Sequence, residues 1–459
     1  MIARFLEPRF VRKWLLLLLV AGMSCQGREF AYLGLNQLTG LPVYVTEIVL
    51  GVSLYLGFLG YCTVPALRER IRASVNAPLL LYWLWGLMLL VPALPAYGFD
   101  AVRDFVVVYY SLFIFVTVVA LRSLDDTRHL LYVLVAANMV FVGRVLLRVV
   151  QGDFDVRGIY LRLGGGTQGL YAIIAFVAVL TTYLAGARSD LRRRWLLPLL
   201  PFLLIGILAP QHRTLLLAFG GALGVLFLFL PQWSRPRLVA LLSIALVCVS
   251  IVIVVVPNGM AVLTGQLPKY IAFFDLQEGS IAARLVNYQR AVDAIADSPI
   301  WGVGYGTALY FDYGNPQLDA PVRAPHNSYI GIAYRSGLVG LALFLVFLMW
   351  FYVQAARKIM KTTDGSLRSY AACLLAAQTA VAIMAIFNVT LEGPHEGIIF
   401  WILIGAELRV LQLAEETNGT QALTMATKAA SAFVPASASS ATASGQRVGI
   451  DRASPGLQR

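Results

Sequence analysis

Apolar runs of about 20 residues recur along most of this chain, and that feature alone leaves few folds open. A run of that length is one helix crossing the hydrocarbon core of a bilayer. Twelve such segments are predicted, at about 14–26, 41–63, 78–97, 100–121, 129–150, 168–187, 194–210, 214–231, 238–256, 328–355, 369–389 and 396–412. Composition agrees: 59% of residues are hydrophobic and 13% charged, against about 25% charged in a soluble domain. The expected fold class is an all-α polytopic membrane protein. The net charge of +12 is then no nucleic-acid footprint, because Lys and Arg in such a chain mostly mark cytoplasmic loops. Cys25, Cys62, Cys248 and Cys373 fall in or beside apolar runs, with neither disulfide nor metal-ligand spacing. The basic start followed by an apolar stretch reads as a retained first span rather than a cleaved signal, since no convincing small-residue cleavage site follows.

Orientation follows from five basic segments. Arg4, Arg9, Arg12 and Lys13 precede the first span, and Arg68, Arg70 and Arg72 follow the second. Arg188 and Arg192 to Arg194 follow the sixth, Arg235 and Arg237 the eighth, and Arg357, Lys358 and Lys361 the tenth. With twelve spans all five lie on one side, the cytoplasm by the positive-inside rule, and both termini with them. The expected organisation is nine spans over 1–256, a large outer loop over 257–327, three spans over 328–412, and a tail over 413–459. The tail is rich in Ala, Ser and Thr with few large apolar residues after Val434, so disorder is expected there.

Basic residues on the outer side are not explained by orientation. Arg144 and Arg148 stand one turn apart near the outer end of the fifth span; Arg157 and Arg162 follow in the next outer loop. His212 and Arg213 form the short link between spans seven and eight, Arg284, Arg290 and Arg323 belong to the large loop, and Arg335 falls inside span ten. Guanidinium offers a planar fork of donors that matches phosphate oxygens and stays charged, so a diphosphate at the outer membrane face would find ligands here. Snorkelling, pairing with acids and headgroup contact are the structural alternatives.

Residues 280–297 read as an amphipathic helix capped by Ser280 and stopped by Pro299, with an apolar stripe of Ile281, Leu285, Tyr288, Val292 and Ile295. Arg284 lies on the edge of that stripe and Arg290 opposite it. The loop ends in Arg323-Ala324-Pro325-His326-Asn327-Ser328-Tyr329, with Gly337 and Gly340 in the next span, where they are expected to allow close helix packing. An imidazole at that boundary titrates near working pH and suits proton transfer.

These residues resemble the O-antigen ligase/polymerase (Wzy/WaaL-type) membrane glycosyltransferases. The resemblance rests on Arg284, the run Pro299-Ile300-Trp301-Gly302-Val303-Gly304-Tyr305-Gly306, His326-Asn327, and Gly337 and Gly340 at ligase-like spacing. It covers about 270–355, together with a twelve-span layout whose large loop joins spans nine and ten. It implies a GT-C-like fold with a helical periplasmic loop, and an O-antigen ligase of a bacterial inner membrane. Such an enzyme moves a glycan from undecaprenyl diphosphate to a sugar hydroxyl of lipid A-core, with inversion and without metal or other cofactor. His326 becomes the general base and Arg284 a diphosphate ligand. Arg213, Arg157 and Arg162 match outer arginines by position in the topology only. Arg323, Arg290, Glu392, Asn327 and Tyr329 are secondary candidates. A Wzy-type polymerase shares the donor and differs in acceptor. A transporter is a more distant alternative, disfavoured because mid-span charges are few.

Overall fold

The structure is a computed structural model, and it describes residues 8–34, 43–151, 155–157, 160–162, 165–185, 195–210, 212–255, 279–310, 321–322 and 324–432. The chain divides into a compact unit through Ala414 and a C-terminal one, Glu415–Arg459. In chain order the helices are α1 Pro8–Gln26, α2 Arg28–Ala31, α3 Val45–Thr63, α4 Pro65–Ser74, α5 Ala77–Tyr97, α6 Phe99–Asp104 and α7 Val106–Ala120. They continue as α8 Leu124–Gln151, α9 Gly166–Leu184, α10 Leu199–Leu208, α11 Arg213–Phe229, α12 Arg235–Val255, α13 Gly279–Asp297, α14 Ser328–Lys361, α15 Gly365–Phe387 and α16 Pro394–Ala432. Two small antiparallel ladders complete the list: β1 Asp155–Arg157 with β2 Tyr160–Arg162, and β3 Leu309–Tyr310 with β4 Pro321–Val322.

This is a polytopic helical membrane protein. Among the described residues eight helices are long and apolar enough to cross a bilayer: α3, α5, α8, α9, α12, α14, α15 and α16. Each of the twelve predicted segments overlaps helical structure, 100–121 covering both α6 and α7, but four fall short on that measure. Helix α1 begins with Arg9, Arg12 and Lys13. Helix α7 tightens into a 3₁₀ turn at Tyr110–Leu112, and α10 and α11 have 10 and 17 residues. Two further expectations change. The segment 257–327, expected as a helical outer loop, is not wholly helical where described, since β3 pairs with β4. The last helix does not stop near 412 but runs to Ala432, where Ala, Leu, Met, Lys and Gln favour helix over the expected coil. The rest of the tail lies outside the described residues.

Packing is densest around α9 and α15, which are buried on nearly every face: Leu170 to Leu180 and Tyr370 to Ala377 have almost no exposure. Small side chains make this possible. Ala371, Ala372, Ala376, Ala377 and Ala380 line α15, and Gly221 of α11 lies against Ile383, so backbones approach closely and dispersion replaces the hydrophobic drive that lipid does not supply. The outer ring is the reverse. Leu84 and Leu246 are more than half exposed, an arrangement that suits hydrocarbon around the bundle.

Candidate active site

The site begins with a helix cap. Asn327 Oδ1 accepts hydrogen bonds from the Tyr329 and Ile330 amides at 2.9 and 3.0 Å, which satisfies orphan donors at the start of α14. His326 is thereby held just outside the helix. Its carbonyl accepts a 2.8 Å bond from the Tyr288 hydroxyl of α13. Tyr329 donates to the Ala382 carbonyl at 3.1 Å. Asn327 and Tyr329, both secondary candidates, are thus committed to backbone.

Ten residues into α14 the helix breaks. Gly337 takes φ 70°, ψ 180°, a conformation that costs any residue with a Cβ. The turn after α13 fills the gap. Val303 N–H donates to the Tyr334 carbonyl at 2.7 Å, and Leu338 N–H to the Pro299 carbonyl at 2.7 Å. The fit leaves no room for side chains: a Cβ on Gly337 would stand 2.0 Å from the Ile300 oxygen, and one on Gly302 2.5 Å from the Gly337 nitrogen. Trp301 stacks on Trp85 at 5.1 Å, and Trp85 Nε1 donates to the Ser336 carbonyl at 2.8 Å. Gly337 was expected to serve helix packing; it instead opens α14 so that a loop docks into it. Arg284, on α13, and His326, at the head of α14, are joined by this interlock.

A second latch lies beside it. Arg335 of α14 forms a buried ion pair with Asp104 of α6, and Asp104 also accepts the Gly306 amide at 2.8 Å. Arg335 lines the cavity described next, but its charge is balanced there by Asp104. At Gly306, a Cβ would stand 2.3 Å from that of Tyr97.

Above these contacts a cavity of about 500 Å³ opens, lined by His326, Glu392, Arg28 and Arg103 among others. That volume is typical of small-ligand sites. Burial holds the His326 imidazole below its usual pKa, and the Arg284 charge adds to the depression, both of which favour the neutral ring. Its Nδ1 is buried and has no hydrogen-bond partner among the described residues. Glu392 is fixed by a short hydrogen bond from Ser328 Oγ, which in turn accepts the Thr390 and Leu391 amides at 2.9 and 3.0 Å. Burial pushes the Glu392 carboxyl up, against the lowering effect of Ser328. Its Oε1 also lacks a partner among the described residues and presses on Gly331, where a Cβ would stand 2.3 Å away. Two further acids line the cavity: Asp104, which holds Arg335, and Glu47, which accepts the Tyr110 and Tyr109 hydroxyls at 2.9 and 3.3 Å.

The remaining sequence candidates are placed as follows. Arg284 is half-buried on the face of α13 that also carries Asn287, Ala291 and Ile295. That is the packed face; the predicted stripe was rotated. Leu285 and Val292 are each 47% exposed, and Ala291 meets Ala333 and Tyr334 of α14. Small residues permit the close approach of α13 to α14, and the bulky ones face outward. Ser280 lies inside the helix rather than capping it. Arg213 opens α11, with His212 against Gly166 of α9; Arg213 and Arg290 each have an interaction within the protein. Arg157 faces Tyr160 and Arg162 faces Asp155 in the β1–β2 ladder, but their side chains, like Arg323, lie outside the described residues. The Arg144 guanidinium donates to the Cys25 carbonyl. Among the described residues no cluster of three His, Cys, Asp or Glu side chains could hold a metal ion.

Sequence reasoning missed Arg28, Arg103 and Asp104. Residues 100–121 were read as one span, which hid Arg103 and Asp104 in lipid. The structure instead turns at Gly98 (φ 54°), forms the short α6, and starts the apolar α7 only at Val106. The signal was present: a glycine followed by Asp100, Arg103 and Asp104 within six residues.

A family model described as O-antigen ligase matches residues 196–345. The segment holds Arg213, Arg284, the Pro299–Gly306 turn, His326 and Gly337, and it bears out the resemblance those residues carry. No curated protein matches the chain.

Proposed function

We propose that this membrane protein, whose residues 196–345 belong to the O-antigen ligase/polymerase family, is an O-antigen ligase. It transfers a glycan from undecaprenyl diphosphate to a sugar hydroxyl of lipid A-core. The observation that carries this reading is His326, an imidazole favoured in its neutral form and with an unpartnered nitrogen, beside Arg284 and lining a cavity of about 500 Å³.

In the proposed step the acceptor oxygen attacks the anomeric carbon as its proton passes to His326. The bond from that carbon to the phosphate oxygen breaks, the configuration inverts, and the diphosphate leaves with the electron pair. Arg284 stands where that charge develops, and Arg213, Arg157 and Arg162 complete its binding. Arg290 and Arg323 are second-rank ligands. The proposed reaction needs no metal, so EDTA is expected to leave the rate unchanged. The site faces the periplasm and both termini face the cytoplasm of a bacterial inner membrane, as the basic segments at the opposite helix ends imply.

The test is reconstituted transfer with purified lipid-linked glycan. Wild-type protein glycosylates lipid A-core, and Arg284→Lys impairs it more than a charge-conserving change should, because the bidentate fork is lost. Elongation of a second lipid-linked glycan in place of lipid A-core assigns the polymerase activity instead. Full activity of His326→Ala removes the proposed base.

A further inference from the structure

Arg28 and Arg103 remain unused by that mechanism. Both line the cavity with His326. Both side chains are exposed, and neither has a hydrogen bond or an acid partner among the described residues. The acids nearby are already engaged: Asp104 by Arg335, Glu47 by two tyrosine hydroxyls, and Glu392 by Ser328. Two guanidinium groups therefore stand without an acid partner among the described residues on the wall built from α2 and α6. That wall is also aromatic. The Arg28 guanidinium lies 5.4 Å from the ring centre of Tyr32, Tyr32 meets Tyr44 edge-on at 5.4 Å, and Phe99 is 57% exposed. Arginine beside accessible and half-buried rings is a chemistry that suits an anionic saccharide. The rings take the apolar faces of sugars, and the guanidinium takes phosphate or carboxylate.

We infer that Arg28 and Arg103, with Tyr32 and Phe99, form the acceptor subsite and bind acidic groups on the acceptor oligosaccharide. The inference rests on the transfer reading above. In an inverting displacement the leaving diphosphate and the entering hydroxyl occupy opposite faces of one carbon, so two anionic substrates need two sets of cations. Arg284 acts on His326 from α13 and does not line this cavity; Arg28 and Arg103 arrive from the N-terminal helices.

The experiment separates binding from turnover. Lipid A-core, intact or chemically dephosphorylated, is titrated in detergent onto His326→Ala protein without donor, with and without the further changes Arg28→Gln and Arg103→Gln. The double change is expected to weaken intact acceptor about tenfold or more, as loss of charge-assisted bonds should, and Arg28→Lys with native Arg103 to recover part of that loss. Dephosphorylated acceptor is expected to bind weakly to both proteins alike. Parallel kinetics in the otherwise native enzyme should show a raised KM for acceptor and an unchanged KM for donor. A raised donor KM with unchanged acceptor binding would transfer these arginines to the diphosphate and overturn the inference; unchanged values for both substrates would leave them solvated and overturn it too. A wild-type enzyme that ignores lipid A-core and extends lipid-linked glycan defeats the ligase reading instead, an outcome visible before any arginine is changed.

Discussion

The two ends of the helix bundle use arginine differently. At the end opposite His326, basic side chains close the structure. Arg12 donates to the Leu56 carbonyl at 2.7 Å, Arg68 to Tyr61 and Cys62 at 3.3 and 3.2 Å, Arg235 to Leu228 at 2.9 Å, and Arg368 to Phe229 at 3.0 Å. Leu56 lies within α3, but the Tyr61, Cys62, Leu228 and Phe229 carbonyls belong to the last turns of α3 and α11, where carbonyls lack intrahelical partners and a cation is favoured by the helix dipole. Arg128 pairs with Asp125 at 2.6 Å, and Lys13 pairs with Asp126. At the His326 end, Arg144 and Arg335 are consumed in the same manner, yet Arg28, Arg103 and Arg284 keep their donors free of such bonds among the described residues. Charge alone does not mark a binding site. Cations left over after the helix ends are satisfied do.

The sharpest break of this comparison is His326→Ala. It should lower transfer roughly a hundredfold to ten-thousandfold, the usual share of a positioned base, while an arginine change at the opposite end leaves kcat intact. Detergent-purified enzyme assayed with labelled lipid-linked glycan measures both. Gly337→Ala comes next. The substitution forces a Cβ into the Ile300 carbonyl and strains a left-handed backbone, so about 2–3 kcal/mol or more of stability is lost. Thermal unfolding should fall measurably. Because Arg284 and His326 are registered through this interlock, transfer by the protein that remains folded should fall as well. Native-like activity per folded molecule would show that the interlock does not set the site.

The pH profile gives a smaller effect with a definite sign. As base, His326 must be neutral, so kcat/KM rises with pH through its pKa. Burial and Arg284 both hold that pKa below the ordinary value of 6.5, and the enzyme should keep activity into mildly acidic solution. Arg284→Gln removes the electrostatic part. The pKa then returns toward 6.5 and the acid limb moves to higher pH, beyond any loss of maximal rate. A limb that stays in place would mean that the titrating group is not His326, or that Arg284 does not reach it.

Much of this was legible in the sequence, and the gaps have physical causes. Helix positions followed from apolar run length, since a bilayer admits little else. His326, Arg284, the Pro299–Gly306 turn and Gly337 were singled out, yet Gly337 was assigned to packing, because a φ of 70° inside an apolar helix leaves no trace in hydropathy. The stripe on α13 was misplaced because the reading assumed that large apolar residues face the protein. Where close approach is limited by side-chain size, Ala291 faces inward and Leu285 outward. Arg335 looked like a substrate ligand because its partner, Asp104, is 231 residues away. Arg103 was assigned to the bilayer because one apolar window bridged α6 and α7.

The smallest predicted effect tests the other side of the comparison. Arg235 begins α12 and reaches back to the Leu228 carbonyl, with its guanidinium 5.2 Å from the Phe227 ring centre. Arg235→Ala removes one charge-assisted bond from an exposed helix end and one ring contact. Water can replace the first, and the second is worth about 0.5–1 kcal/mol at an exposed site. Stability should therefore fall by no more than about 1–2 kcal/mol. KM for donor and acceptor should not move, because no part of the cavity touches this residue. Arg235→Lys should recover most of the loss, since a carbonyl in a helix dipole asks for positive charge rather than for a planar fork. That tolerance is the opposite of what Arg284→Lys should show, and the two lysine variants measured side by side separate an arginine that ends a helix from one that holds a phosphate.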